Sequence, residues 1–365
     1  MSVMRHSNKR TQHGTALAIR LAAASLIAGL LVSCQPETDG GANLQLLEWN
    51  GYQHPNYYPE YMAKYGREPE YTFFAETEDA LQRLRRGYPV ELVHLCPGQM
   101  AEARDGGLIK PLDINRIPRW DNISPELLEL EDVRTDGEYW MVPWEWGYSV
   151  FAYNPETIDV ENATYDIFID PRFKGKISLN SQIGTNLTLA GVIAGWANLH
   201  DPTDAEMDAA PEVFRKILEN TRFVWTDATQ LEQAWAAGDV GMSYVFGSGS
   251  RRMKQDGLPI VIIDPVMPWT CGLSITTTGT GSEDRAYDYI NAMLDPRSGV
   301  ELFDVYGYGH ANARSVDLID PDRVAGTGID DPAATFARGI PVRTFDPKKR
   351  ARLLQLWFEA QAGLE

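Results

Sequence analysis

Short apolar runs alternate with amphipathic stretches along most of this chain. Leu44–Glu48, Glu70–Phe74 and Glu91–Leu95 have the length and residue types of strands. Between them, Thr77–Arg86 places Leu81 and Leu84 on one helical face and is closed by Gly87. Tyr57–Tyr65 and Pro97–Arg104 carry shorter helical patterns, the second stopped by Gly106-Gly107. The alternation resumes further on. Lys176–Leu179, Phe223–Trp225, Val240–Phe246 and Ile260–Ile263 predict strands. Leu187–Leu199 predicts an apolar helix. Pro211–Asn220 predicts a helix with proline in its first turn and Val213, Phe214, Ile217 and Leu218 facing inward. Leu231, Ala234 and Trp235 mark a further helix, and Ser282–Leu294 and Pro347–Ala362 are late amphipathic ones. Gly247-Ser248-Gly249-Ser250 reads as a loop. No internal repeat interrupts the pattern. It predicts two α/β lobes with parallel strands and helices on both sheet faces. Ligands in such sheets bind at the carboxyl ends of strands. That makes Glu48–Tyr52, Leu95–Gly98 and Asn180–Thr185 cleft candidates.

The N-terminus has a different pattern. Arg5, Lys9, Arg10 and Arg20 precede an almost wholly apolar stretch from Leu21 to Val32, with no acidic residue in the first 33 positions. This is the layout of a secretory signal peptide. About 12 apolar residues fall short of the ~20 that span a bilayer. The stretch ends in Leu31-Val32-Ser33-Cys34, which resembles a bacterial lipobox, in which the cysteine becomes the first mature residue and carries lipid. Residues 1–33 therefore read as a lipoprotein signal peptide and Cys34 as the lipidated residue. Residues 34–43, polar and without periodicity, read as a tether. The expected location is periplasmic, with the membrane touched only through the lipid anchor.

Composition narrows the function. The chain carries a net charge of −18. Removing a leader with four basic and no acidic residues takes the mature chain to −22. Such a charge argues against nucleic acid as a partner and fits a cationic ligand. If Cys34 carries lipid, Cys96 and Cys271 remain, and a pair in an oxidising compartment suggests a disulfide. Catalytic signals are weak. The mature histidines, His54, His94, His200 and His310, show no metal-pair spacing. The 247–250 segment lacks the Gly-x-Ser-x-Gly elbow, and no phosphate loop ends in Gly-Lys-Ser/Thr. The expectation is a monomeric binding protein, not an enzyme, with no cofactor and no metal.

Several motifs together resemble the periplasmic spermidine/putrescine-binding proteins of ABC transporters, over roughly residues 44–315. They are Glu48-Trp49-Asn50-Gly51-Tyr52 after the first strand, Glu91-Leu92-Val93, and Gly107-Leu108-Ile109-Lys110-Pro111-Leu112-Asp113. Val142-Pro143-Trp144-Glu145-Trp146-Gly147 is similar to the family's crossover segment, and Asp170-Pro171-Arg172-Phe173-Lys174-Gly175-Lys176 to its turn. Gly238-Asp239-Val240-Gly241-Met242 and Tyr306-Gly307-Tyr308 complete the set. The resemblance implies a two-lobed periplasmic-binding-protein fold of the α/β class. Each lobe would be a mixed sheet flanked by helices, with the ligand cleft between them. Lobe one would comprise 44–143 plus about 271–315, and lobe two 144–270 plus about 316–365. Chain crossings near Pro143–Tyr148 and Pro265–Ser274 would form the hinge, and ABC permease subunits would be the partners.

Carried over by position, the resemblance keeps the aromatic walls and loses the acidic anchors. Trp49, Tyr52, Trp269 and Tyr308 fall on aromatic ligand contacts of the family, and Tyr244 falls on one of its tryptophans. Gln182 and Thr185 stand where the family has Asp and Glu, and Cys271 stands at a further Asp. Cys96 replaces a Ser, which sets both cysteines near the cleft wall of lobe one, where either a disulfide or two separately buried thiols would fit. Two ligands suit this pattern. One is a polyamine-like cation held by Glu48 or Glu145, with Asp227 a further replacement charge. The other is a betaine-like zwitterion, its carboxylate meeting Gln182, Thr185 and backbone N–H groups at the following helix start.

Overall fold

The computed structural model describes residues 43–364, Gln99 and Thr344 excepted. The leader, Cys34 and the tether up to residue 42 lie outside the described residues. Among those described, no helix is long and apolar enough to cross a membrane.

In chain order the strands are β1 (Gln45–Trp49), β2 (Glu70–Phe74), β3 (Leu92–Leu95), β4 (Arg134–Thr135), β5 (Glu138–Tyr139) and β6 (Val142–Tyr153). They continue with β7 (Ile177–Asn180), β8 (Thr221–Trp225), β9 (Met242–Phe246), β10 (Val261–Ile275) and β11 (Gly309–His310). β4 and β5 form a separate small hairpin. The rest form one sheet in the order β2-β1-β3-β10-β6-β9-β7-β8, with β11 also on β6.

The sheet is parallel at its two ends and antiparallel in the middle. β2, β1 and β3 run parallel, as do β9, β7 and β8. The long strands β6 and β10 pair antiparallel between the two groups. β3 attaches where β10 runs from Gly272 to Ile275, with Leu95 opposite Gly272. β9 attaches where β6 runs from Ser149 to Tyr153, with Phe246 opposite Ser149. The carboxyl ends of both parallel groups therefore converge on the middle of the β6–β10 ribbon, around Glu145–Gly147 and Trp269–Cys271.

Three clusters of apolar side chains cover this sheet, one around β7–β9 and two at its β1–β3 end. Phe151, Phe168, Leu189, Phe214, Trp225 and Trp235 belong to the core around β7–β9. Leu46, Tyr57, Trp144, Tyr289 and Leu302 belong to the core around β1 and the start of β6, and Leu47, Leu81 and Leu95 to a second cluster beside it. Ile319, Val324 and Ile329, expected in the second lobe, pack into the core around β1.

Other local expectations need correction. The helix predicted from Pro211 runs over Asp204–Asn220, with Pro211 inside it. Thr203 and Glu206 form a reciprocal capping box that starts the helix earlier. Met207, Ala210, Phe214 and Ile217 then fall on its buried stripe. Residues 247–250, expected as a loop, form the first turn of helix Gly247–Gln255. Gly247 is required there, because a Cβ would lie 2.7 Å from the Tyr148 ring. The apolar helix expected at Leu187–Leu199 runs instead over Ile183–Ala194 and ends at Gly195 in the left-handed region.

Candidate functional site

A cavity of about 390 Å³ lies where the strand ends converge. Trp49, Asn50 and Tyr52 reach it from the end of β1, Phe74 and Ala75 from β2, and Cys96 and Pro97 from β3. Gln182 and Thr185 reach it from the turn after β7, and Tyr244 and Phe246 from β9. Glu145, Trp269 and Cys271 come from the central ribbon, with Tyr308 and Val342 closing the wall. Ten of the eleven predicted ligand-contact residues thus share one cavity: Trp49, Tyr52, Cys96, Glu145, Gln182, Thr185, Tyr244, Trp269, Cys271 and Tyr308.

Glu48 does not line it. Its side chain points to the other face of β1, because successive strand residues alternate. There Glu48 Oε1 lies 2.6 Å from His94 Nδ1 and accepts the Trp49 backbone N–H at 2.8 Å. Asp227 is also elsewhere, accepting the N–H groups of Thr229 and Gln230 as the cap of helix Ala228–Ala236.

The aromatic walls pack in pairs. Trp49 and Phe74 stand 4.5 Å apart between ring centroids, and Trp269 meets Tyr308 edge-on at 4.9 Å. Tyr306, outside the lining, stacks between Tyr52 at 5.0 Å and Tyr308 at 5.5 Å and fixes both. Gly147 lets the Trp269 ring lie flat on the ribbon, since a Cβ there would come within 2.7 Å of it. Each ring facing a cation contributes about 0.5–2 kcal/mol.

The polar floor of the cavity is a buried network. Glu145 is 2% exposed. The Tyr52 hydroxyl donates to its Oε2 at 2.8 Å and lies 3.0 Å from its Oε1. His94 Nε2 stands 3.7 Å from Glu145 Oε1, beyond hydrogen-bond distance, so the imidazole sits between the two carboxylates and hydrogen-bonds Glu48 alone. Burial raises the Glu145 carboxyl to about 7, although His94 and the Tyr52 hydrogen bond pull it down. Burial works against a charged His94, but Glu48 and then Glu145 outweigh it and raise the imidazole above its usual value. Burial, followed by Glu145, lifts the Tyr52 phenol. The arrangement is a carboxylate at the bottom of an aromatic cup, braced from behind by an imidazole.

Cys96 and Cys271 are joined in a disulfide, with sulfurs 2.10 Å and Cα atoms 4.2 Å apart. It ties the end of β3 to the ribbon in the cavity wall. Across from it, Thr185 Oγ1 donates to the Gln182 carbonyl at 2.7 Å, at the start of helix Ile183–Ala194.

A sequence profile of the bacterial extracellular solute-binding proteins matches residues 63–334. The chain belongs to that family. Among related solute-binding proteins, the spermidine/putrescine-binding periplasmic protein of Salmonella typhimurium is 23% identical over 327 residues, covering 87% of this chain and 91% of its own. The putrescine-binding periplasmic protein PotF of Escherichia coli is 23% identical over 363 residues, covering 93% and 97%. A crystal structure of the spermidine/putrescine ABC transporter substrate-binding protein PotD from Streptococcus pneumoniae superposes with a TM-score of 0.71 at 19% identity, over 87% of this chain and 98% of that one. This solute-binding protein therefore shares the periplasmic-binding-protein fold.

Sequence reasoning missed part of the site. Phe74, Phe246 and Val342 line the cavity without having been singled out. His94 gave a usable signal, as the one titratable residue in the apolar run Leu92–Leu95.

Proposed function

We propose that this protein captures a polyamine-like or other small organic cation in the aromatic cavity and delivers it to the permease subunits of an ABC importer. The observation that carries the reading is the pairing of aromatic walls with Glu145 as a buried carboxylate at their base. An ammonium group there exchanges its water for a carboxylate and ring faces, which is the compensation a buried cation requires. The cores at the two ends of the sheet are read as two lobes closing on the ligand, with the β6–β10 ribbon as the hinge. Lipid on Cys34 holds a monomeric capture protein at a membrane facing the periplasm. The reading is one of binding without bond-making.

The test is a thermal-shift screen of the mature protein against putrescine, spermidine, choline, betaines and amino acids. Stabilisation follows ligand affinity by mass action. Organic cations are expected to raise the melting temperature, and a response confined to anionic or uncharged solutes would refute the reading. Trp49→Ala is expected to weaken binding of the responding ligand on the order of tenfold, through lost ring contact. Calorimetric titration of the variant checks this, and unchanged affinity would remove Trp49 from the site.

A further inference from the structure

Among the described residues, Glu145 is the one charged group lining the cavity. The other polar groups of the lining are neutral: Asn50, Gln182, Thr185 and the tyrosine hydroxyls. Glu48 is buried behind the wall and engaged with His94 at 2.6 Å. An adjoining recess of about 210 Å³ shares Trp49, Cys96, Pro97, Gln182, Thr185 and Val342 with the cavity. Its lining carries two acidic and two basic side chains, Glu76, Glu78, Arg343 and Arg350, of which Glu78 pairs with Arg85 and Arg343 with Glu131.

We propose that the ligand is an organic cation with a single charged nitrogen, seated on Glu145, whose uncharged remainder lies between the rings. This deepens the cation-capture reading and rests on it. A flexible diamine at neutral pH is charged at both ends. With one ammonium on Glu145, the second would lie either among the rings or in the adjoining recess. Among the rings it would lose its hydration with no carboxylate in return, and ring attraction alone does not offset the removal of an ion from water. In the recess it would meet two carboxylates and two guanidinium groups whose charges cancel in number, with Glu78 already ion-paired to Arg85. The neutral side chains of Asn50, Gln182 and Thr185 suit an amide or hydroxyl at that end, by ordinary hydrogen bonding.

The test compares putrescine with N-acetylputrescine by calorimetric titration of the mature protein at pH 8. The two share a four-carbon skeleton and one ammonium, and differ in the charge on the second nitrogen. N-acetylputrescine is expected to bind at least about tenfold more tightly, and Glu145→Gln to remove at least about tenfold of its affinity. Equal or tighter binding of putrescine would overturn the single-charge inference and leave cation capture standing. Undiminished binding of N-acetylputrescine to Glu145→Gln would overturn the assignment of Glu145 as its seat. Failure of both compounds to bind at millimolar concentration would overturn this inference, while the cation reading falls only if the thermal-shift screen also finds no responding cation. The ligand comparison uses the unaltered protein, so it holds even if the variant fails to fold.

Discussion

Reduction of the Cys96–Cys271 bond is expected to lower the unfolding free energy by about 2–5 kcal/mol. The two cysteines are 175 residues apart in sequence. Chain-entropy arguments put a loop of that length near the top of this range, at about 5 kcal/mol. The effect falls mainly on the unfolded chain, which gains freedom once the tie is cut. The native fold should persist, because β3 and β10 remain paired from Leu92–Leu95 to Gly272–Ile275 without the sulfur link. Denaturant titrations with and without reductant measure the difference, and Cys96→Ser combined with Cys271→Ser should reproduce the reduced curve. Coincident midpoints would mean that the bond constrains nothing in the unfolded chain. Because the disulfide lines the cavity, the same samples should also show a loss of ligand affinity on reduction.

A second large effect is expected from pH. Cation affinity should fall about tenfold per pH unit below about 7, because the carboxylate that receives the ammonium becomes protonated there. The ligand-free protein should show the opposite trend in stability. The Glu145 carboxyl is raised from 4.5 to about 7 on folding, so the native state holds a proton that the unfolded state has released. That contribution is fully present below about 4.5 and is lost as pH rises through about 7. The raised His94 imidazole has the same sign, since its stabilising proton is also lost as pH rises. Melting temperatures of the empty protein should therefore decline from pH 6 to pH 8 while affinity improves. Glu145→Gln should flatten both profiles, and parallel trends in the unaltered protein would remove Glu145 from this role.

Much of the fold was legible from periodicity. β1, β2 and the helix Thr77–Arg85 lie within a residue of their expected bounds, the strands as short apolar runs and the helix through its buried face of Thr77, Ala80, Leu81 and Leu84. The central ribbon was not legible as strand. In β6 only Tyr148 falls short of full burial, so Val142–Tyr153 shows no polar alternation to betray it. β10 was foreseen only as Ile260–Ile263, since Pro265 and Pro268 interrupt the pattern that continues to Ile275. In the cavity, the aromatic residues were legible through loop position and family resemblance. The separation of Glu48 from Glu145 was not. Both are acidic residues in aromatic surroundings, and only the strand pleat and the His94 hydrogen bond distinguish a structural carboxylate from one that faces the cavity.

The order of strands in the sheet also governs how the chain is made. β3 is followed closely in sequence by the rest of the first half, yet its neighbour on the ribbon side is β10. During synthesis the edge of β3 must stay open until Val261–Ile275 has emerged. An unpaired strand edge is the surface most prone to capture a foreign strand. The nascent protein thus passes through a long interval in which its first half cannot close by itself, and the covalent seal between Cys96 and Cys271 comes only after that interval. Conditions that slow passage of the segment between these two points into the oxidising compartment should raise the share of chains lost to aggregation, whatever the stability of the finished protein.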